Sequence, residues 1–461
     1  MPPAGARVKL RSSSSLSSPA MTLFKAYDIR GLVPSQLGPQ DARRIGRAVS
    51  RFFGGAPIAV GRDARTHSPA LRDALVTGLT EAGSDVVDLG LVATPMLYFG
   101  VDHLKLGGGV MVTASHNPAE YNGFKVCGAH AVPVGEASGL REIERLAGED
   151  AAPSGRSGAA SEAEVTSAYV EQLLSMSEAR PALHAVLDCG NGMAGVGLEP
   201  LLARLPLRTE RLYFEPDGRF PNHPADPLHV ENLADVRAAV RRVGADFGVA
   251  FDGDADRAIF VDERAEPVPS DLVTGLLARS QLARAPGGKV LYDLRSSWAT
   301  AEEIRAAGGV AEMCRVGHSF VKAAMRETGA VFAGELSGHF YFRFSPTLVA
   351  DDGVAALVAM LDLLGREGKP LSSLVAPLRR YHASGEVNRR VKEPQAILAA
   401  LAREHEGARE VSHMDGLLVR YDDWWFNMRP SNTEPLLRLN VEAKSEERMV
   451  RERDRLLARM V

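Results

Sequence analysis

The chain has 461 residues, 45% of them hydrophobic and 24% charged. At roughly 100–200 residues per domain, this length predicts about three or four domains, each large enough to bury its own core. A formal net charge of −4, from 54 basic and 58 acidic residues, argues against nucleic acid or a membrane surface as the main partner; an anionic ligand must then be held by local positive clusters.

Residues 1–20 are Ser-rich and slightly basic and lack the apolar core of about 7–15 residues that a secretory signal needs. They read as a disordered leader ahead of Met21. No run of about 18 apolar residues follows, so no transmembrane span is expected. Cys127, Cys189 and Cys314 lie far apart without CxxC spacing. That excludes a disulfide framework or zinc site and fits a reducing, cytoplasmic location.

From Met21 onward one pattern occurs three times. An apolar, β-rich run ends in Asp at Ile58–Asp63, Ala185–Asp188 and Val290–Asp293. Each is followed by a loop, a helical segment and a second strand-like run, at Asp85–Gly90, Arg211–Phe214 and Ala311–Val316. Such strand–helix–strand units build sheets with helices on both faces. Low aromatic content with plentiful Ala, Gly, Val and Leu agrees. The predicted fold class is therefore α/β: three tandem related α/β domains with mixed or parallel sheets, followed by a smaller C-terminal α+β domain. The polar stretch Gly148–Gly158 reads as a linker. The predicted divisions are 21–152, 160–263, 264–376 and 377–461. In the last, strands are expected at Glu386–Val391, Gly416–Tyr421, Trp424–Met428 and Leu436–Val441, with a closing amphipathic helix from Ser445.

Four loops carry chemistry. Thr113-Ala-Ser-His-Asn-Pro118 follows a Gly-rich apolar strand and presents the hydroxyl of Ser115 between small residues, with His116 and Asn117 to orient it. Taken alone it reads equally as an ordinary turn. Asp252-Gly-Asp-Ala-Asp-Arg257 places carboxylates at every second position after the strand Phe247–Phe251. Such a set can offer oxygens to a hard cation such as Mg²⁺, and would repel itself without one. Arg257 directly after it suits a phosphoryl group beside the metal. Gly334-Glu-Leu-Ser-Gly-His339 offers Glu335 and Ser337 to a polyol, with glycines permitting close approach. By itself it also suits a tight hairpin. Arg429-Pro-Ser-Asn-Thr-Glu-Pro435 crowds Arg429, Ser431, Asn432 and Thr433 into a phosphate cradle, or alternatively an N-capping turn.

In this order and at these spacings, the four loops closely resemble the α-D-phosphohexomutase family, nearest its phosphomannomutase/phosphoglucomutase branch. The likeness runs from Phe24-Lys-Ala-Tyr-Asp-Ile-Arg-Gly31 to the last helix and includes Tyr121-Asn-Gly-Phe-Lys125 and Val316-Gly-His-Ser-Phe-Val-Lys322. It implies four domains around a central cleft and a phosphoserine at Ser115. It implies Mg²⁺ held by Ser115, Asp252, Asp254 and Asp256, and sugar hydroxyls held by Glu335 and Ser337. The distal phosphate would sit on Arg429, Ser431, Asn432 and Thr433. Tyr27, Arg30, Lys125, Arg257, His318 and His339 fall on positions resembling cleft residues, and Arg295 stands where relatives can carry a ligand-contacting Lys. Ala255 replaces a frequent Gly, and Leu336 a frequent Met. The implied reaction moves a phosphoryl group between O1 and O6 of mannose or glucose phosphate through a 1,6-bisphosphate, with glucose or mannose 1,6-bisphosphate as activator. His318 or Lys125 would serve as general base. Hexose phosphates are the expected partners, in a monomer or homodimer without nucleic acid or membrane. A phosphoglucosamine mutase is the nearest alternative, though relatives of that kind tend to carry Gln at the position of Leu336. A metal-dependent sugar phosphohydrolase and a non-catalytic sugar-phosphate sensor are the others.

Overall fold

The computed structural model describes residues 23–149, 155–176, 178, 182–430 and 436–460. The stretch read as a leader lies outside the described residues. The first sheet runs Ile29–Leu32, Tyr121–Gly128, Gly108–Val112, Ile58–Arg62, Val86–Leu91, Ala160–Glu162. Ile58–Arg62 pairs in parallel with both neighbours, whereas Gly108–Val112 and Tyr121–Gly128 form an antiparallel hairpin. All five residues of Gly108–Val112 are buried, as a continuous apolar run covered on both faces must be. The hairpin leaves residues 113–120 at its end, which is how the serine loop comes to project from the sheet. Ala160–Glu162 joins this sheet beside Val86–Leu91. The predicted second division, opening at 160, thus begins with a strand of the first sheet.

The second sheet runs Ala258–Asp262, Phe247–Phe251, His184–Asp188, Arg208–Leu212, and the third Val310–Cys314, Lys289–Asp293, Phe332–Gly334, Phe340–Arg343, Val349–Asp351. Both combine a parallel centre with an antiparallel hairpin. The second hairpin carries Asp252–Arg257 and the third Glu335–His339. In the fourth sheet every pairing is antiparallel. Its strands Trp424–Pro430 and Leu436–Ala443 flank residues 431–435, which lie outside the described residues. Ser445 caps the last helix, Glu446–Leu457, by accepting the backbone N–H of Arg448.

The recurring Asp has a local cause. Asp63 Oδ1 accepts the backbone N–H of Arg65 at 3.0 Å, Asp188 Oδ1 that of Gly190 at 2.9 Å, and Asp293 Oδ1 that of Arg295 at 2.7 Å. Each carboxylate thereby closes the turn that leads from its strand toward the next helix. Strand ends shift by a few residues from expectation, most at Arg211–Phe214, where the observed strand is Arg208–Leu212. Tyr213 adopts φ +54°, which ends the extended run.

A core cluster shared by the first three units holds Met96, Leu198, Phe247, Leu276, Phe332 and most of helix Gly353–Glu367, beside a separate cluster within each unit. The C-terminal sheet has its own core around Leu417, Phe426, Leu439 and Leu456. Among the described residues, no helix is long and apolar enough to cross a membrane.

Candidate active site

The serine loop and the acidic loop meet backbone to backbone. A Cβ on Gly253 would lie 2.4 Å from the carbonyl oxygen of Ser115, so only glycine fits there. Ser115 is buried, with φ +52°, in the left-handed region a non-Gly residue occupies only when its surroundings hold it. Its N–H donates to Thr113 Oγ1 at 3.0 Å, and its hydroxyl donates to Asp252 Oδ2 at 2.9 Å. His116 Nδ1 lies 3.3 Å from the same hydroxyl oxygen.

Arg65 holds this loop in place. Its guanidinium donates to the carbonyls of Ser115 (2.9 Å), Asn117 (2.6 Å), Pro118 (2.6 Å) and Tyr121 (3.0 Å), and its Nε to Asp63 at 3.2 Å. At 1% exposure it is a buried cation whose donors are met mainly by backbone oxygens. Sequence reasoning missed Arg65. The available signal was its place two residues after the strand-ending Asp63, matching Arg295 after Asp293.

Asp252, Asp254 and Asp256 are all buried, and one oxygen from each lies within 4.8 Å of the others. Lys125 Nζ donates to Asp254 and Asp256, both at 2.6 Å, and Thr94 Oγ1 to Asp254 at 2.5 Å. Burial, then the charges of Asp256 and Asp254, push the Asp252 carboxyl well above the usual range. Burial would raise Asp254 too, but Lys125 overrides it and holds that carboxyl low. Among the described residues, Oδ1 of Asp254 and Oδ1 of Asp256 are buried without hydrogen-bond partners. Three converging carboxylates, two with orphaned oxygens, and a serine hydroxyl make an all-oxygen donor set that fits a hard divalent cation. Burial would lower Lys125, yet Asp254 and Asp256 outweigh it and keep its ammonium charged well above the ordinary range. Ala255 takes φ +66°, a position a Gly would occupy at less cost.

The sugar-loop candidates join this centre through Arg257 and His339. Arg257 Nε donates to His339 Nε2 at 2.9 Å, which assigns the imidazole proton to Nδ1, 3.1 Å from Asp351 Oδ2. The N–H of Ala258 donates to the Gly338 carbonyl at 3.0 Å, tying the two loops together. Glu335 is buried and accepts from the N–H of Gly317 at 2.7 Å and from the Tyr341 hydroxyl. Ser337 is half-buried beside it. His318 opens helix His318–Thr328, with its ring 6.2 Å from that of His339 and 5.6 Å from that of Tyr27. Burial, then the positive charge of Lys322, depress the His318 pKa well below the ordinary 6.5. Arg30 donates to Asn117 Oδ1 and pairs with Asp28.

Arg295 is buried in a fork on Asp293, with contacts of 3.1 and 2.7 Å, and Asp293 also accepts the N–H of Leu336 at 2.8 Å. Arg295 and Arg429 each come within 3.5 Å of Glu386. Tyr27, Arg30, Ser115, His116, Lys125, the three aspartates, Arg257, His318, Glu335 and His339 thus form one connected wall. Arg295 reaches it through Asp293, and Arg429 through Arg295 and Glu386. Ser431, Asn432 and Thr433 lie outside the described residues.

Three mixed α/β units with their hairpin loops converging, plus a separately cored fourth, are the setting of an acidic, serine-bearing phosphoryl-transfer site. Family comparison gives the same class. The phosphoglucomutase/phosphomannomutase alpha/beta/alpha domains I, II and III match residues 21–153, 167–265 and 269–381, and the C-terminal domain matches 386–459. The chain belongs to this family and is a phosphate-transferring mutase of hexose phosphates. It is 41% identical over 449 residues to the "Phosphohexose mutases" of Xanthomonas campestris pv. campestris strain B100, covering 96% of this chain and 100% of that one. It is 40% identical over 439 residues to a phosphomannomutase of Salmonella montevideo, covering 92% and 96%. The crystal structure of a phosphoglucomutase/phosphomannomutase family protein from Burkholderia thailandensis superposes with a TM-score of 0.87 at 36% identity, covering 95% and 96%.

Proposed function

We propose that this mutase interconverts the 1- and 6-phosphates of mannose and glucose, with Ser115 as the phosphoryl carrier and a hexose 1,6-bisphosphate as the intermediate. The observation that carries this reading is the contact of Ser115 Oγ with Asp252 inside the buried carboxylate set. In the cycle, the sugar hydroxyl attacks phospho-Ser115, the P–Oγ bond breaks and a bisphosphate forms. After the bisphosphate turns over, Ser115 attacks its other phosphoryl group, and the second monophosphate leaves. Glucose or mannose 1,6-bisphosphate primes the unmodified serine by the same chemistry.

Asp252, Asp254 and Asp256 would hold Mg²⁺ with Ser115; when bound, it withdraws negative charge from the transferring group. Lys125 and Arg257 neutralise charge beside the serine, and His116 and Arg65 orient the nucleophile's loop. His318 is the better candidate for general base, because its imidazole is held neutral whereas Lys125 is held charged. Glu335, Ser337 and His339 recognise sugar hydroxyls, with Tyr27 and Arg30 lining the same wall. Arg295 and Arg429, with Ser431, Asn432 and Thr433, take the distal phosphate. Buried free thiols at Cys127, Cys189 and Cys314 fit a cytoplasmic enzyme.

A coupled assay with Mg²⁺ and a trace of glucose 1,6-bisphosphate, given mannose 1-phosphate or glucose 1-phosphate, tests this. Both 6-phosphates should form, and chelation should stop them. Steady release of inorganic phosphate instead would sink the mutase cycle.

A further inference from the structure

Glu386 directly precedes strand Val387–Arg390 of the fourth sheet, beside Gly385, whose φ of +66° marks the bend in the chain there. Its Oε1 accepts from Arg438 Nη1 at 3.1 Å, while Oε2 lies 3.5 Å from both Arg429 Nη2 and Arg295 Nη1. Arg429 and Arg438 stand directly opposite each other on paired antiparallel strands. Two like charges in that position repel unless an anion sits between them.

The carboxylate meets this need incompletely. Among the described residues, Glu386 Oε2, Arg429 Nε and Arg438 Nε are all buried without hydrogen-bond partners. Burial first, then the neighbouring Arg295, push the Arg429 guanidinium below its ordinary pKa, and Glu386 and Asp415 offset this only in part. Asp293 already takes the Arg295 fork, so the single Glu386 carboxylate serves chiefly Arg429 and Arg438, with Arg295 Nη1 at its edge, and each guanidinium is built to donate in pairs. A phosphate monoester brings a second charge and a third oxygen to the same donors.

We propose that Glu386 is an internal counter-ion: it occupies the arginine cluster of Arg295, Arg429 and Arg438 when no phosphate is bound and competes with substrate phosphate for it. The inference rests on the reading of Arg429 as part of the distal-phosphate grip. Without Glu386, Arg429 and Arg438 would stand unopposed beside Arg295 and hold a dianion tightly. The bisphosphate, however, must let go in order to turn over. A carboxylate next to the bend at Gly385 can retake the cluster as the phosphate leaves, which makes Glu386 a positioning residue that trades substrate affinity for turnover.

The test compares the full-length parent with Glu386→Gln, Glu386→Asp and Arg429→Gln. The measurements are inorganic phosphate binding by calorimetry, and KM and kcat for mannose 1-phosphate. Glu386→Gln should bind phosphate about fivefold more tightly, with KM falling in step and kcat reduced. Glu386→Asp, which keeps the charge, should stay close to the parent in KM. Arg429→Gln should weaken phosphate binding. If Arg429→Gln weakens binding but Glu386→Gln leaves phosphate affinity and KM unchanged or poorer, Glu386 is not a competitor, although the grip reading stands. If Arg429→Gln leaves phosphate affinity unaltered, the grip reading falls and the inference with it. Should Glu386→Gln fail to fold, a KM for Glu386→Asp raised several-fold would likewise overturn the proposal, because retained charge would not have preserved function.

Discussion

Ser115 combines a left-handed backbone with a hydroxyl held at a carboxylate, and the Arg65 fork on four carbonyls keeps it there. Ser115→Ala should therefore lose turnover by several orders of magnitude and take up no phosphate from glucose 1,6-bisphosphate, with its circular dichroism unchanged. Near-normal activity in that variant would remove the nucleophile assignment. Arg65→Lys keeps the charge but loses the planar fork, so it cannot serve the same carbonyls. A loop displaced by about 1 Å should cost kcat about a hundredfold with little change in KM, which initial-rate kinetics would show. His318 supplies a pH signature. Its folded pKa is depressed, so the neutral form persists as pH falls and protonation comes only well below 6.5. The acid limb of kcat/KM should accordingly lie below pH 6.5 and vanish in His318→Gln. A limb unmoved by that substitution would assign the base elsewhere. At this scale the serine loop, the three aspartates and the loop opening at Arg429 were legible as motifs. Arg65 was not, because its role is to serve backbone carbonyls that come from four different positions.

Helices and strands meet at places where glycine and buried polar groups set the tolerance. A Cβ on Gly78 would sit 2.1 Å from the Arg43 carbonyl oxygen, and one on Gly46 2.3 Å from that of Leu75. Helices Pro39–Phe52 and Ser68–Glu81 therefore pack with their backbones in contact, a closeness that the helical periodicity of either segment does not reveal. At the start of helix Gly353–Glu367, Asp352 accepts from the N–H of Ala355 at 2.9 Å and from the Tyr169 hydroxyl at 2.8 Å, while burial pushes its carboxyl up to about 7. The folded pKa thus lies above that of the unfolded chain, about 4. This contribution to stability is fully present below about pH 4 and is lost as pH rises through about 7. Asp352→Asn keeps an acceptor for the cap and removes the titration. Denaturant midpoints taken at about pH 5 and about pH 8 should converge in the variant by the equivalent of a few kcal/mol relative to the parent. An unchanged difference between the two pH values would show that Asp352 does not govern it.

Across the whole molecule, a shared core cluster joins the first three units, whereas the core of the fourth sheet is not shared with them. The links between them include the Trp298 backbone N–H to Glu442 at 2.9 Å and the Val316 backbone N–H to Asp415 at 3.3 Å. Arg379 and Arg380, exposed at this junction, should be the favoured sites of limited trypsin cleavage. Saturating hexose 6-phosphate should slow that cleavage by drawing Arg295 and Arg429 onto one phosphate. Cleavage at the same rate with and without ligand would argue against closure over substrate. By itself the sequence determined the α/β class, the tandem units and the four loops, because these rest on local hydrophobic period, turn chemistry and short motifs. Only the tertiary structure decided that Ala160–Glu162 completes the first sheet, that Arg65 braces the serine loop, and that Glu386 stands among three arginines. Each of those depends on groups far apart in the chain meeting in space, and no local pattern encodes such a meeting.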